Sequence, residues 1–247
     1  MIKDILLAVV QAATEFLPVS SSGHLALISN LISEPDLFFF TTLHLASLAA
    51  VIIFTRKEIV NLLSFEKRYR GMWIYLIIAT IPAALLGFFF KAEIEKAFSS
   101  LLFIGCAFIF TGGVLYFTRF SKTYSDLNIK NSVIIGLFQA LALLPGVSRS
   151  GMTISSALAS GIEREKAVKF SFLLFIPLSL GAFLLEASDG FYFNTNLAVS
   201  FFVCLAASLI FLNLLFFIVR KGKFWIFSIY CLAAGLISFM IAGILRT

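Results

Sequence analysis

The sequence predicts an all-α, polytopic membrane protein, and three observations carry that prediction. Of its 247 residues 60% are hydrophobic and 13% charged, with a mean hydropathy of +1.03. A soluble domain carries about 25% charged residues, so this chain cannot clothe a water-facing surface of its size. Apolar runs near the length that crosses a bilayer, about 20 residues, recur at roughly 36–55, 72–90, 97–118, 168–187, 196–219 and 224–245. Most Lys and Arg residues are gathered between those runs. So low a charged fraction excludes a soluble enzyme, a disordered chain and a nucleic-acid-binding module, and the net charge of +6 would suit a nucleic-acid partner only if it formed one patch, whereas here it is spread between apolar runs. Cys106, Cys204 and Cys231 lie inside apolar runs without paired spacing, so neither a disulfide framework nor a zinc site is implied. The 30 phenylalanines suit lipid-facing helices.

Two further stretches are apolar but interrupted. Segment 2–33 holds Gln11, Glu15, Pro18, Ser20-Ser21-Ser22-Gly23 and His24. Segment 131–161 holds Gln139, Pro145-Gly146, Ser148-Arg149-Ser150-Gly151 and Thr153. Each reads as two short helices joined by a polar turn. A cleavable signal peptide fits the first poorly, since Glu15 and the serine run break its apolar region.

The cationic connections fix a topology. They are 56–70 (Arg56, Lys57, Lys67, Arg68, Arg70), 119–130 (Arg119, Lys122, Lys130), 162–169 (Arg164, Lys166, Lys169) and 220–223 (Arg220, Lys221, Lys223). Positive loops stay cytoplasmic, so segment 131–161 has inside connections at both ends and must be a re-entrant hairpin. Segment 2–33 is either a second hairpin, opening to the outside, or one irregular span with an inside N-terminus. In the first case each half, about 1–120 and 121–247, holds one hairpin and three spans. Three is odd, so the halves are inverted relative to one another. The expected architecture is six full transmembrane helices plus two re-entrant helical hairpins in an inverted-topology repeat, forming a single membrane domain.

The broken segments also resemble each other. Aligned on Gly23 and Gly151, Ser20 matches Ser148, Ser21 matches Arg149 and Ser22 matches Ser150, with one residue of slip between the prolines. A second short helix should begin just after each serine turn, near residues 24 and 152, with Ser22 and Ser150 as caps. Free N–H groups and the positive dipole end make each helix start an anion site. Arg149 adds a planar fork suited to phosphate. Together these should hold a phosphorylated ligand.

Ionisable groups at membrane depth are functional candidates by default. Glu15, His24, His44 and Arg149 qualify. Glu15 and Arg149 could instead simply neutralise one another. His24, taken alone, reads as a satisfied core histidine, and His44, mid-span with no motif around it, reads as a packing residue. Gln11 and Glu15 are four apart and share a helix face. That face offers a weak oxygen site for a divalent ion, which would arrive largely with a diphosphate.

These motifs, Gln11-x-x-x-Glu15-Phe-Leu-Pro-Val-Ser-Ser-Ser-Gly-His24 and Pro145-Gly-Val-Ser-Arg-Ser-Gly-Met-Thr153, resemble the undecaprenyl-diphosphate phosphatase family, also called the bacitracin-resistance proteins. The likeness runs over almost the whole chain. It implies a multi-pass enzyme of the bacterial inner membrane. Such an enzyme removes the terminal phosphate of undecaprenyl diphosphate, a polyprenyl lipid, to regenerate the carrier for peptidoglycan synthesis. It also implies a site facing the periplasm, a Mg2+ or Ca2+ requirement, and site residues Gln11, Glu15, Ser20, Ser21, His24, Ser148, Arg149 and Thr153. Many relatives have Glu where this chain has Gln11, which weakens a two-carboxylate metal site, though Gln also occurs in the pattern. The Ser-Gly-His of type-2 phosphatidic-acid phosphatases is a different set, for no histidine follows Arg149.

The expected chemistry is phosphoryl transfer, where positioning and charge stabilisation do most of the catalysis. Arg149 clamps the phosphates, with Ser20, Ser22, Ser148, Ser150 and Thr153 around them. Ser21 attacks with His24 or Glu15 as base, or a water activated by Glu15 and a metal attacks directly while His24 protonates the leaving group. The rival function is a lipid-phosphate transporter or flippase using the same cavity. The expected partners are the lipid substrate, membrane lipids and, compatibly, a second copy of the chain in a homodimer.

Overall fold

The computed structural model describes residues 1–31, 37–64, 66, 69–186 and 195–244. The expected span ends at 36, 187 and 245 lie outside the described residues. In chain order the helices are α1 (Ile2–Phe16), α2 (Ser21–Leu31), α3 (Leu37–Phe54), α4 (Arg56–Leu63), α5 (Arg70–Phe89), α6 (Lys91–Phe98), α7 (Leu101–Phe117), α8 (Ile129–Leu141), α9 (Arg149–Ala159), α10 (Arg164–Glu186), α11 (Thr195–Arg220) and α12 (Phe227–Ile244).

Among the described residues five helices are long and apolar enough to cross a membrane: α5, α7 with its 3-10 extension, α10, α11, and α12 with its leading 3-10 turn. The run expected at 36–55 is α3, which bends by 71° after Thr55 into α4; the pair makes a sixth crossing if counted as one. The connection 56–70, read from sequence only as a charged link, thus carries a helix whose Leu62 is buried. The run expected at 97–118 starts at Leu101, because Ser100 caps it: its Oγ accepts the Phe103 N–H at 3.3 Å. The residues before it form the separate helix α6.

Both broken segments are broken where expected. Pro18 holds Leu17 in an extended conformation (φ −61°, ψ 144°) and ends α1. Pro145 and Gly146 lie in the longer break between α8 and α9. The first helix of each hairpin packs on a long helix from elsewhere in the chain: α1 on α11, and α8 on α5. The helices α7 and α12 pair closely, because Gly105 and Gly235 bring their backbones together. A Cβ on Gly235 would lie 2.9 Å from the Gly105 carbonyl oxygen. In a bilayer, small residues at such contacts replace the hydrophobic drive that water would supply.

The cationic connections gather at one end of the bundle. Lys169 on α10 bonds Glu58 on α4 at 2.7 Å, Arg220 on α11 bonds Glu165 at 2.8 Å, and Lys166 bonds Asp126 at 2.5 Å. Large exposed apolar side chains, among them Phe88, Phe117, Phe202 and Met240, cover the outer faces of the helices, as lipid contact requires.

Candidate active site

The two hairpin turns touch. A Cβ on Gly23 would lie 2.8 Å from the Cα of Gly146, and one on Gly151 would lie 3.4 Å from the Cβ of Pro18. The close approach needs glycine at position 23, and Gly146 also takes a left-handed φ of +90°. The long helices hold both turns. Thr111 of α7 donates its hydroxyl to the Gly146 carbonyl (3.0 Å) and accepts the Ser148 N–H (3.3 Å). Cys231 of α12 donates its thiol to the Pro18 carbonyl at 3.3 Å.

Each inner helix starts three residues earlier than expected, α2 at Ser21 and α9 at Arg149. The caps are accordingly Ser20 and Ser148, not Ser22 and Ser150. Ser20 Oγ accepts the Gly23 N–H at 3.2 Å, and Ser148 Oγ accepts the Gly151 N–H at 3.1 Å. A cap must be the last non-helical residue. Ser22 and Ser150 are already within the first turn, where their hydroxyls bond those of the caps at 3.2 and 3.3 Å. The two hairpins thus repeat the same pair of hydrogen bonds at aligned positions. Ser20 adopts a left-handed φ of 63°, a conformation rare for a non-glycine residue and often found at functional sites.

Glu15 is the hub where the hairpins meet. Its side chain is 7% exposed. Oε1 accepts from Arg149 Nη2 at 2.7 Å. Oε2 accepts from Ser21 Oγ at 2.7 Å and from Gln11 Nε2 at 3.2 Å. The Arg149 guanidinium stacks on the Phe175 ring, 3.8 Å from its centroid, which fixes its plane. A cavity of about 190 Å3 opens at this cluster, lined by Glu15, Ser20, Ser21, Ser22, Ser148 and Arg149 among others. The reading of Glu15 and Arg149 as a neutralising pair and their reading as site residues therefore meet in one geometry.

His44 belongs to this cluster, although the sequence marked it only for packing. Its Nε2 lies 3.3 Å from Gln11 Nε2 and 3.4 Å from Glu15 Oε2. Nδ1 faces the Phe40 carbonyl at 3.0 Å. A carbonyl only accepts, so Nδ1 carries the proton and a neutral ring leaves a lone pair on Nε2. With the ring neutral, one Gln11 amide group donates to both Glu15 and His44; with the ring protonated, its Nε2–H faces Glu15 Oε2 as an ion pair. The sequence flagged His44 only as an ionisable group at membrane depth and offered no partner for it, because its partners sit on another helix; Phe175 escaped notice for the same reason.

His24 lies outside the cavity lining. Its Nδ1 meets the Ser20 carbonyl at 2.8 Å and its Nε2 meets the Tyr230 hydroxyl at 2.6 Å. The same carbonyl argument makes Nδ1 the donor and Nε2 the acceptor from Tyr230. Thr153 also lies behind the cavity, bonding the Arg149 carbonyl at 2.9 Å and Ser171 Oγ at 2.6 Å. Ser150 is 3% exposed and faces its cap.

Gln11 and Glu15 do not fit a resident Mg2+ or Ca2+. Both Glu15 oxygens already accept from donors, and Gln11 turns its amide nitrogen to the carboxylate. Hard cations need several free oxygen ligands. Among the described residues no group of three or more His, Cys, Asp or Glu could hold a metal.

Comparison with known proteins shows the family. An undecaprenyl-diphosphatase of Thermosipho africanus (strain TCF52B) is 42% identical over 245 residues, covering 96% of this chain and 98% of the relative. One from Methanococcus vannielii is 39% identical over 243 residues, covering 95% and 97%. The family model described as bacitracin resistance protein BacA matches residues 4–237, and the chain belongs to that family.

Proposed function

We propose that this chain is an undecaprenyl-diphosphate phosphatase, cleaving undecaprenyl diphosphate to undecaprenyl phosphate and inorganic phosphate and so recycling the carrier lipid for peptidoglycan synthesis. The observation that carries the reading is the hydrogen-bonded chain Ser21–Glu15–Arg149, with both links at 2.7 Å. In this reading Ser21 is the nucleophile, Glu15 the base and Arg149 the phosphate clamp, three side chains from two separate segments that line one cavity. The names borne by the relatives support the same substrate.

In this mechanism the terminal phosphate enters between the two capped helix starts. Glu15 takes the proton from Ser21 Oγ as that oxygen attacks the terminal phosphorus. The bond to the bridging oxygen breaks and undecaprenyl phosphate departs. Water then attacks the phosphoserine and gives up a proton to His44, while protonated Glu15 returns its proton to Ser21 Oγ as the serine–phosphorus bond breaks and inorganic phosphate leaves. Arg149 has one Nη bonded to Glu15, while its other N–H groups bond no described residue. They are open to the charge that develops on the phosphoryl oxygens. His24 acts as a positioning residue, since its Nδ1–H holds the carbonyl of the strained Ser20. Any divalent cation arrives on the diphosphate rather than residing in the protein.

The architecture we infer is the inverted repeat with two re-entrant hairpins. Matched capping bonds, and the matched packing of α1 on α11 and α8 on α5, support it. The membrane is the bacterial inner membrane, with the cationic end inside. The cavity then faces outward, since it draws on Phe175–Ala182 of α10, away from the Arg164 end.

The test is release of inorganic phosphate from undecaprenyl diphosphate by purified protein in detergent, where no compartments exist. Turnover by the native chain, lost in Arg149→Ala, is expected. A native chain that binds the lipid without cleaving it would refute the phosphatase.

A further inference from the structure

We propose that the apolar groove between α3, α4, α5 and α10 holds the polyprenyl chain of the lipid whose diphosphate sits at Arg149, an inference that rests on the phosphatase reading. The catalytic cavity, about 190 Å3, is smaller than the ~300–1,000 Å3 of typical small-molecule sites. It accommodates a headgroup, and the long hydrocarbon chain must lie elsewhere.

The groove offers about 500 Å3. Its walls include Ile52, Leu76, Ile77, Ile81, Ala84 and Leu180, and Thr80 is the one hydroxyl-bearing residue among them. No hydrogen-bonding group there is left wanting. Thr80 donates to the Leu76 carbonyl at 2.8 Å, and the Trp73 indole N–H donates to the Leu62 carbonyl at 3.0 Å. Such a surface gains from hydrocarbon and offers nothing to a polar ligand.

Groove and cavity are neighbours on the same helix. Leu178, Ser179 and Ala182 of α10 face the cavity, while Pro177 and Leu180, adjacent in sequence, face the groove. On α5 the nearer end of the groove is Ala84. One turn beyond, a Cβ on Gly87 would lie 3.5 Å from Leu143 Cδ1, and Leu143 lines the cavity. From Ala84 to Trp73 the groove runs roughly 16 Å along the helix axis, away from the cavity. A lipid with its head at Arg149 and its chain descending parallel to the helices meets this groove first.

The experiment compares undecaprenyl diphosphate with farnesyl diphosphate, whose short chain reaches only the upper groove. Leu63 and Ile77 are exposed in the part of the groove away from the cavity, so a larger side chain there fills it without entering the core. Leu63→Trp and Ile77→Trp should raise KM for undecaprenyl diphosphate roughly tenfold and leave kcat/KM for farnesyl diphosphate within about twofold. Ile74→Trp, on the same α5 but outside the groove, should change neither. Unchanged KM for the long substrate in both groove variants would overturn the assignment. Equal losses on both substrates would also overturn it, since they would mean a disturbed active site. Failure of the native chain to cleave either substrate would instead refute the phosphatase reading on which the groove depends.

Discussion

Glu15 and Arg149 are 134 positions apart in sequence, yet Oε1 and Nη2 meet at 2.7 Å and tie the first hairpin to the second. Both side chains are largely buried. Breaking a buried pair by removing one partner typically costs about 3–5 kcal/mol, because the other charge is stranded. The contact therefore ties the two broken segments together and, in the proposed mechanism, holds the guanidinium that the diphosphate meets.

Arg149→Ala should lower kcat/KM for undecaprenyl diphosphate by about 10³-fold or more and should lower the melting temperature. Arg149→Lys keeps the charge but loses the fork and the stacking on Phe175. It should retain the fold while remaining at least about tenfold slower than native. Phosphate release, with size-exclusion profiles to verify folding, checks both. A lysine variant with native turnover would show that the planar fork is not needed.

Ser21→Ala separates the two routes to the phosphorus. With Ser21 as nucleophile, kcat should fall by roughly three orders of magnitude or more. The native enzyme, quenched during turnover on lipid labelled at the terminal phosphate, should carry label on Ser21. Substantial turnover by the alanine variant, with no labelled serine in the native protein, would establish direct attack by water.

How far the sequence spoke depended on whether a residue's partners were local. Pro18, Pro145 and the serine runs announce breaks because they act on their own backbone, and the structure breaks there. The helix starts were misplaced by one turn because Ser20, Ser21 and Ser22 are chemically equivalent caps. The left-handed φ of Ser20 selects among them, and only packing sets it. Glu15 and Arg149 stood out as charges in apolar surroundings. His44 stood out equally as an ionisable group at depth but was read as packing, because its partners Gln11 and Glu15 lie on a different helix. The 71° bend after Thr55 was likewise silent, for hydropathy reports length and not direction.

His44 should matter through Glu15. His44→Ala should reduce kcat about 10²-fold, the usual range for loss of a proton-transfer group. In a Glu15→Gln background the same change should cost little more, because members of one catalytic unit are strongly non-additive. Kinetics of the two single variants and the double variant check this. Fully multiplicative losses would separate His44 from the Glu15 chemistry.

His24 and Tyr230 are predicted to act on geometry. Asn at position 24 can still offer an N–H near the position of Nδ1, so His24→Asn should keep about tenfold more activity than His24→Ala. Tyr230→Phe removes a single hydrogen bond and should lower kcat by about three- to tenfold with KM unchanged. If asparagine is as inactive as alanine, His24 transfers protons itself and the positioning role fails.

The α7–α12 contact gives a test of opposite signs on one helix. In a helix interior Gly→Ala normally stabilises by about 0.5–1 kcal/mol. Gly243 has open space where a Cβ would stand, so Gly243→Ala should raise the melting temperature slightly. At Gly235 the same methyl group would lie 2.7 Å from Ile109 Cγ1 and 2.9 Å from the Gly105 carbonyl oxygen. Ile109 can turn away, but the carbonyl is backbone within α7 and moves only if the helices part. Gly235→Ala should therefore destabilise by about 1–3 kcal/mol. The separation also moves Cys231, four residues earlier on α12, which bonds the Pro18 carbonyl at 3.3 Å. Activity should then fall along with stability, although Gly235 is remote from the cavity. Thermal unfolding in detergent together with phosphate release measures both. A Gly235→Ala protein as stable as Gly243→Ala would mean that the helices do not approach this closely.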